Sequence, residues 1–181
     1  MTALPAHLGG SEGETHIDDG ALTFIINATG ATSMVDVGCG PGGMVQLALS
    51  KGMKAAGIDG DFTIPRNIPC HIHDFTTGYV QLDQTYDLCW CVEFVEHVHE
   101  AYMDNYMKVF QQCRFVVMTH AYPGQGGHHH VNEQPTDYWI EKMTAAGFIF
   151  EPQMTDAIRR ASTMNQFFIR QHGLFFRNGR I

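Results

Sequence analysis

Apolar residues change period several times along the chain, and the changes mark its elements. Ile17, Ala21, Leu22, Ile25 and Ile26 recur at helical spacing behind a Thr15/Asp18 start, which predicts a helix over about 16–28. Ser33 to Val37 is a short apolar strand that runs into a glycine-rich turn. Met44, Val45, Leu47, Ala48 and Leu49 form the next helix, which stops near Gly52. Lys54 to Ile58 reads as a second strand, and His71 to Phe75 as a weaker third. The continuous apolar run from Tyr86 to Val92 is typical of a parallel strand buried on both faces. Tyr102, Met103, Tyr106, Met107 and Phe110 repeat at helical spacing, a stripe that predicts core packing. Phe115 to Thr119 is a further buried strand. A polar loop over 120–134 precedes a helix from Thr136 to Ala146, which Gly147 ends and which carries Trp139 as a core residue. Phe148 to Phe150, Gln166 to Arg170 and Leu174 to Arg177 read as closing strands.

Strands alternating with helices predict an α/β domain built on a mainly parallel sheet with right-handed crossovers. Ligands of such sheets bind beyond the carboxyl ends of the strands. The turns after Val37, Ile58, His73 and Val92 belong to that edge, as does the 120–134 loop.

Composition narrows the classes. With 181 residues the chain suffices for one complete core, expected over 15–181 behind a small, polar, flexible segment over 1–14. Lys plus Arg is 11 and Asp plus Glu is 19, so the net charge of −8 argues against extended nucleic-acid binding. A hydrophobic content of 44% excludes a disordered chain. No stretch approaches the ~20 apolar residues of a membrane helix, and Met1 to Gly20 lacks the basic and apolar regions of a signal peptide. Cys39, Cys70, Cys89, Cys91 and Cys113 are odd in number and form no Cys-x-x-Cys pair, so reduced thiols in a cytoplasm are expected.

The sharpest local signal is Asp36-Val37-Gly38-Cys39-Gly40-Pro41-Gly42-Gly43. Its glycines allow a tight turn and a close approach of backbone to ligand. Asp59 ends the second strand, where a carboxylate can accept both hydroxyls of a ribose. Asp74 ends the third, placed for an adenine amino group, with Phe75 as its apolar neighbour. Gly38, Gly40 and Gly43 also fit G-x-G-x-x-G of dinucleotide sites. Asp36, two residues before the first glycine, suits a cationic cofactor better than a pyrophosphate.

This ordered set, with the strand Asp87-Leu88-Cys89-Trp90-Cys91-Val92, resembles the class I S-adenosylmethionine-dependent methyltransferases over about 16–177. The resemblance implies a three-layer sandwich around a seven-stranded Rossmann-like sheet whose last strand is antiparallel. It also implies S-adenosylmethionine as cofactor and S-adenosylhomocysteine as product, bound by Asp36, Gly38, Cys39, Gly40, Gly42, Asp59, Asp74 and Phe75. Gly38 and Gly40 would lie under the methionine part. Gly60 departs from the pattern, which often has an apolar residue covering the adenine there.

Glu93, Glu96 and His97 follow the fourth strand at spacings i, i+3 and i+4, so a helical turn would put them on one face. Glu-x-x-Glu-His here resembles the ubiquinone-biosynthesis O-methyltransferases and the small-RNA 2′-O-methyltransferases. In both, the resemblance implies a divalent metal held by residues matching Glu93, Glu96 and His97, completed by a loop histidine. His128, His129 and His130 lie in that loop, and His130, 17 residues before Gly147, has the spacing of the family's loop histidine. A pocket role without metal fits these groups as well, since neutral imidazole can be base, ligand or hydrogen-bond donor.

Glu96, His97 and His130 are therefore the candidate catalytic residues. The expected activity is O-methylation of a small-molecule or sugar-like hydroxyl. The alternatives are RNA 2′-O-methylation and a non-catalytic S-adenosylmethionine-binding scaffold. The 120–134 loop is expected to cover the acceptor.

Overall fold

The protein is described by a computed structural model covering residues 3–10 and 13–181. Its seven strands are β1 (Ser33–Val37), β2 (Lys54–Asp59), β3 (Cys70–Ile72), β4 (Tyr86–Cys91), β5 (Cys113–Met118), β6 (Phe148–Phe150) and β7 (Leu174–Asn178). They form one sheet in the order β3-β2-β1-β4-β5-β7-β6. Strands β1 to β5 pair in parallel, while β7 runs antiparallel to both β5 and β6. The expected sheet and its single reversed strand are thus present.

Six helices cover the faces: α1 (Asp19–Thr29), α2 (Gly43–Ser50), α3 (Met103–Phe110), α4 (Thr136–Ala145), α5 (Pro152–Ala161) and α6 (Phe168–His172). Alternate residues of the central strands feed two cores. Val35, Cys89, Val116 and Phe176 face one side, with Tyr106, Phe110 and Trp139. Met34, Leu88, Val117 and Phe175 face the other, with Leu22, Ile25, Val45 and Ile158. A strand buried on both faces has no room for a polar alternation, which is why β1 and β4 read as apolar runs.

One expected element is corrected and one helix was not expected. The segment 166–170 is not a strand: Phe168–His172 is a short helix in which only Ile169 is buried. Its run of three apolar residues imitates a strand because Phe167 lies exposed. Helix α5 has no counterpart in the sequence-derived elements. It is polar overall and buries only Thr155 and Ile158, although Pro152 opens it and Arg159 and Arg160 occupy its last turn.

Buried caps tie these elements together. Asp18 caps α1 by accepting from the Ala21 N–H at 3.0 Å, and it also accepts from Ser162 Oγ and the Thr163 N–H beyond α5. At the opposite edge of the sheet, Asp87 Oδ2 accepts from the Thr32 N–H at 2.8 Å and from the Thr32 and Ser33 hydroxyls, joining the starts of β1 and β4. Partial burial pushes the Asp87 carboxyl up, but the Thr32 N–H, Arg114 and the hydroxyls outweigh it and hold the pKa below its ordinary value.

A depressed folded-state pKa contributes stability above the unfolded value, and that contribution is lost as pH falls through the folded one. Asp87→Asn should therefore destabilise the fold above about pH 5, and the difference from wild type should close below about pH 3. Urea denaturation at both pH values checks this; a pH-independent difference would mean that ionisation of Asp87 is not what joins β1 to β4.

Candidate functional site

The carboxyl ends of β1, β2 and β4 open into one cleft, lined by Asp36, Gly38, Cys39, Gly40, Asp59, Asp74, Phe75, Glu93, His97 and His130 among others. Residues singled out on separate strands thus meet in one place. Gly42 does not line the cleft. It turns at φ 89° against Ile68, and a side chain there would overlap the Ile68 Cδ1 methyl.

After β1 the chain turns at Gly38 with φ 77°, and an added Cβ would lie 2.6 Å from the Phe94 ring. Positive φ and close approach both demand glycine here. Cys39 folds back over β2, where only a glycine at 57 leaves space for its sulfur, and rests 3.7 Å from Cys70 Sγ. Cys39 therefore contributes backbone and packing at the rim of the cleft.

Asp59 is held from three directions. Its Oδ2 accepts from the Gly40 N–H at 2.8 Å, and its Oδ1 from the Asp61 N–H and from Arg66, both at 2.8 Å. The Arg66 guanidinium also donates to the Gly40 and Asp61 carbonyls, clamping the loops after β1 and β2 into one unit. Burial pushes the Asp59 carboxyl up, and these donors oppose it. A carboxylate has about four acceptor positions, so about one is left for a ribose hydroxyl rather than a full pair.

Asp36 is 3% exposed, lines the cleft and makes no side-chain hydrogen bond among the described residues. Burial, followed by the Asp59 charge, pushes its pKa well up. Asp74 Oδ1 accepts from the Thr76 N–H, while Oδ2 lies 2.8 Å from His7 Nε2. Burial raises Asp74, but His7 and Thr76 bring it below the ordinary carboxylate range. Phe75 packs edge-on against His73, Phe94 and Tyr106.

At the far end of the cleft the 93–102 segment makes two short 3-10 turns, Val95–His97 and Glu100–Tyr102, instead of a continuous helix. Glu93 precedes the first turn at φ 54° and is locked to β5: its N–H donates to Thr119 Oγ1, which donates to Glu93 Oε1, both at 2.8 Å. Glu93 is accordingly not gathered with its neighbours. Glu96, His97 and His130 are, with one ligand atom from each all within 4.8 Å of one another.

Each member of this triad is prepared. His97 Nδ1 is 2.8 Å from the His128 carbonyl, and His130 Nδ1 is 3.2 Å from Glu133 Oε1. A carbonyl and a carboxylate only accept, so both rings carry the proton on Nδ1 and leave the Nε2 lone pair available. Glu96 is fully buried, and neither of its carboxylate oxygens has a hydrogen-bond partner. Burial, then the Glu93 charge, pushes its pKa well up. Burial and the neighbouring His130 push His97 down to about 4. The Glu96 carbonyl accepts from the Val131 and Asn132 N–H groups, which pins the histidine loop to the turn. His128 is exposed and His129 half-buried; His128 serves through its carbonyl.

Sequence reasoning missed Arg66, Thr119 and Glu133, which act by holding Asp59, Glu93 and His130. Arg66 had no visible partner because its contacts are set by loop closure. It also missed residues 7–10, whose His7, Leu8, Gly9 and Gly10 lie along the cleft. His120 is buried apart from the cleft, against Tyr122, Trp139 and His172, where burial pushes it down to about 4.

Truncating Arg66, whose side chain is 4% exposed, takes the charged partner from Asp59 and the donors from the Gly40 and Asp61 carbonyls. Arg66→Met should lower stability by about 3 kcal/mol in urea denaturation. An unchanged unfolding midpoint would show that the clamp carries no weight.

No family model matches the sequence, and no curated protein sequence matches it. Solved structures do. The sugar N-methyltransferase KedS8 from Streptoalloteichus superposes with a TM-score of 0.66 at 14% identity, covering 94% of this chain and 90% of that one. The methyltransferase domain of bacterial CtHen1-C gives 0.61 at 16% identity, covering 88% and 96%. Magnesium protoporphyrin IX methyltransferase from Synechocystis, with bound S-adenosylmethionine, gives 0.57 at 15% identity, covering 86% and 74%. The strand order, the reversed β7 and these superpositions together assign the chain to the class I methyltransferase fold.

Proposed function

We propose that the chain is an S-adenosylmethionine-dependent methyltransferase that methylates a hydroxyl of a small molecule. The observation that carries this reading is a single cleft that gathers Asp36, Gly38, Gly40, Asp59, Asp74 and Phe75 with His97 and His130, the two histidines clustering with the buried Glu96. In this reading Asp36, buried without a partner, receives the ammonium of the methionine part. Gly38 and Gly40 keep the backbone flat beneath it, Asp59 takes a ribose hydroxyl, and Asp74 with Phe75 frames the base.

Methyl transfer moves CH3 from the sulfonium to the acceptor oxygen. The C–S bond breaks with its electron pair going to sulfur, giving the neutral thioether, and the hydroxyl proton passes to solvent water as the oxygen takes the methyl group. Alignment of oxygen, carbon and sulfur is the main contribution an enzyme can make to such a displacement. An imidazole held near 4, as His97 is, is a weak proton acceptor at neutral pH but is neutral and ready to bind a cation. Two Nε2 lone pairs and an unpartnered buried carboxylate are a donor set suited to a divalent cation. Glu96, His97 and His130 would hold it, and when bound it would supply Lewis-acid polarisation of the acceptor hydroxyl. The chain's own part is to fix both tautomers through His128 and Glu133, and to hold Glu93 aside on Thr119.

Glu14, Asp36, Asp59, Asp61, Asp74 and Glu93 all line the cleft. That lining favours a cationic cofactor and a neutral or cationic acceptor over a polyanion, and so a small molecule over RNA. The same geometry would serve a cofactor-binding scaffold, and turnover separates the two.

Calorimetry with S-adenosylhomocysteine tests the cofactor. Wild type should bind, and Asp36→Asn should weaken binding about tenfold, or about 1.4 kcal/mol; absence of binding by wild type would overturn the reading. For the cation, Mn2+ should raise the melting temperature of wild type. Glu96→Gln should melt higher than wild type in the presence of chelator, by about 1–3 kcal/mol of stability, and should not respond to Mn2+. Equal Mn2+ responses in the two proteins would remove Glu96 from the donor set.

A further inference from the structure

Gly60 lies at the nucleoside end of the cleft, directly after Asp59, with Asp61 beside it. Its φ is outside the left-handed region, so the turn does not require a glycine. What requires it is space. A Cβ built at Gly60 would overlap the Leu8 Cδ2 methyl, with Cδ1 at 3.4 Å and the His73 carbonyl at 3.3 Å. Leu8, 52 positions earlier in the sequence, occupies the place where a side chain at 60 would begin.

Leu8 is delivered by a structured crossing. A turn closes from the Leu8 N–H to the Pro5 carbonyl at 3.0 Å. His7 is fastened to Asp74 at 2.8 Å. Gly9 packs near Asp61, and Gly10 crosses at φ 96° so close to His128 that a Cβ would lie 2.9 Å from its ring. This strap over 7–10 runs along the cleft from the Asp74 end toward the histidine loop. Leu8 remains partly exposed in the crossing, with apolar surface left to bury.

We infer that Leu8 is a cofactor-binding residue: the strap carries it over Gly60, where its methyl groups form an apolar face of the adenine slot. The missing side chain at 60 is thus replaced by one from a remote segment. Burying apolar surface against the base is the physical gain, and the strap's anchors at Asp74 and His128 hold Leu8 in place before the ligand arrives. The inference rests on the methyltransferase reading above and adds to it a residue and the specificity it confers.

The test is calorimetry on the full chain with two probes, S-adenosylhomocysteine and adenosine, which share the base. Leu8→Ala should weaken both by a similar factor of about ten. Gly60→Ala alone should weaken them too, because its methyl displaces Leu8. In the Leu8→Ala background the same Gly60→Ala change should instead recover affinity, and this reversal of sign is something loss of fold integrity cannot produce. If Leu8→Ala binds both probes like wild type while Asp36→Asn weakens S-adenosylhomocysteine, the inference fails and the methyltransferase reading stands. If wild type binds neither probe, the reading itself fails. Should Leu8→Ala fold poorly, Leu8→Met keeps the apolar face and should bind like wild type; a tenfold loss with Leu8→Met would overturn the assignment of a generic apolar contact.

Discussion

Carboxylates taken out of water must be compensated, and the carboxyl edge of this sheet buries several close together. Two have partners within the chain. Asp59 has Arg66 and two backbone N–H groups, and Glu93 has Thr119. Two have none among the described residues: Asp36, 3% exposed, and Glu96, 0% exposed. Burial drives the pKa of both well up. An uncompensated buried acid costs stability, so its natural complement is a positive ligand group. Asp36 lines the cleft, and Glu96 lies beside two of its lining residues, His97 and His130. Under the proposed function, one faces the ammonium of the cofactor and the other a divalent cation.

The rest of the edge consists of devices that keep those acids where they are. Parallel pairing of β1 with β2 and β4 brings the turns at Gly38, Asp59 and Glu93 to one level. Arg66 ties the first two turns together, so that the backbone at Gly40 cannot shift without moving Asp59. Gly57 leaves room for Cys39 to cross β2, which lets the loop fold flat instead of bulging into the cleft. On the other side, Thr119 at the end of β5 fixes Glu93 in a left-handed backbone, and the chain leaves β4 in the direction that turns Glu96 inward.

How much of this was legible in the sequence depends on where each residue finds its partner. The buried strands and the glycine turn were legible because local composition decides them: β-branched and apolar runs on one hand, obligatory positive φ on the other. Glu96, His97 and His130 could be listed as candidates from spacing, but spacing alone also included Glu93. Its exclusion depends on a hydroxyl at Thr119, 26 positions away. Arg66 looks like an ordinary loop arginine until the loops close around it. Helix α5 escaped because its sequence is polar overall and only two of its residues, Thr155 and Ile158, are buried. The segment 166–170 misled for the converse reason, since exposed Phe167 adds apolar character that packing does not use. Gly60 was legible as a departure, and its meaning was not, because the side chain that fills the gap comes from residue 8.

One residue couples the two ends of the cleft. The His128 ring packs against Gly10 of the strap, and the His128 carbonyl accepts from His97 Nδ1 and so sets the tautomer of that ring. The loop carrying His128 is in turn fastened to the 95–97 turn through Val131 and Asn132, both donating to the Glu96 carbonyl. Displacing the strap therefore removes support from the backbone that orients His97, even though no strap atom needs to touch the triad. Gly127 adds a limit from the other side. At φ 148° it leaves His130 Nε2 uncovered, and a Cβ there would sit 2.5 Å from that nitrogen. The available lone pairs of His97 and His130 are thus products of backbone placement in one short loop, and the histidine-rich run owes its chemistry to the carbonyl of one histidine and the ring of another.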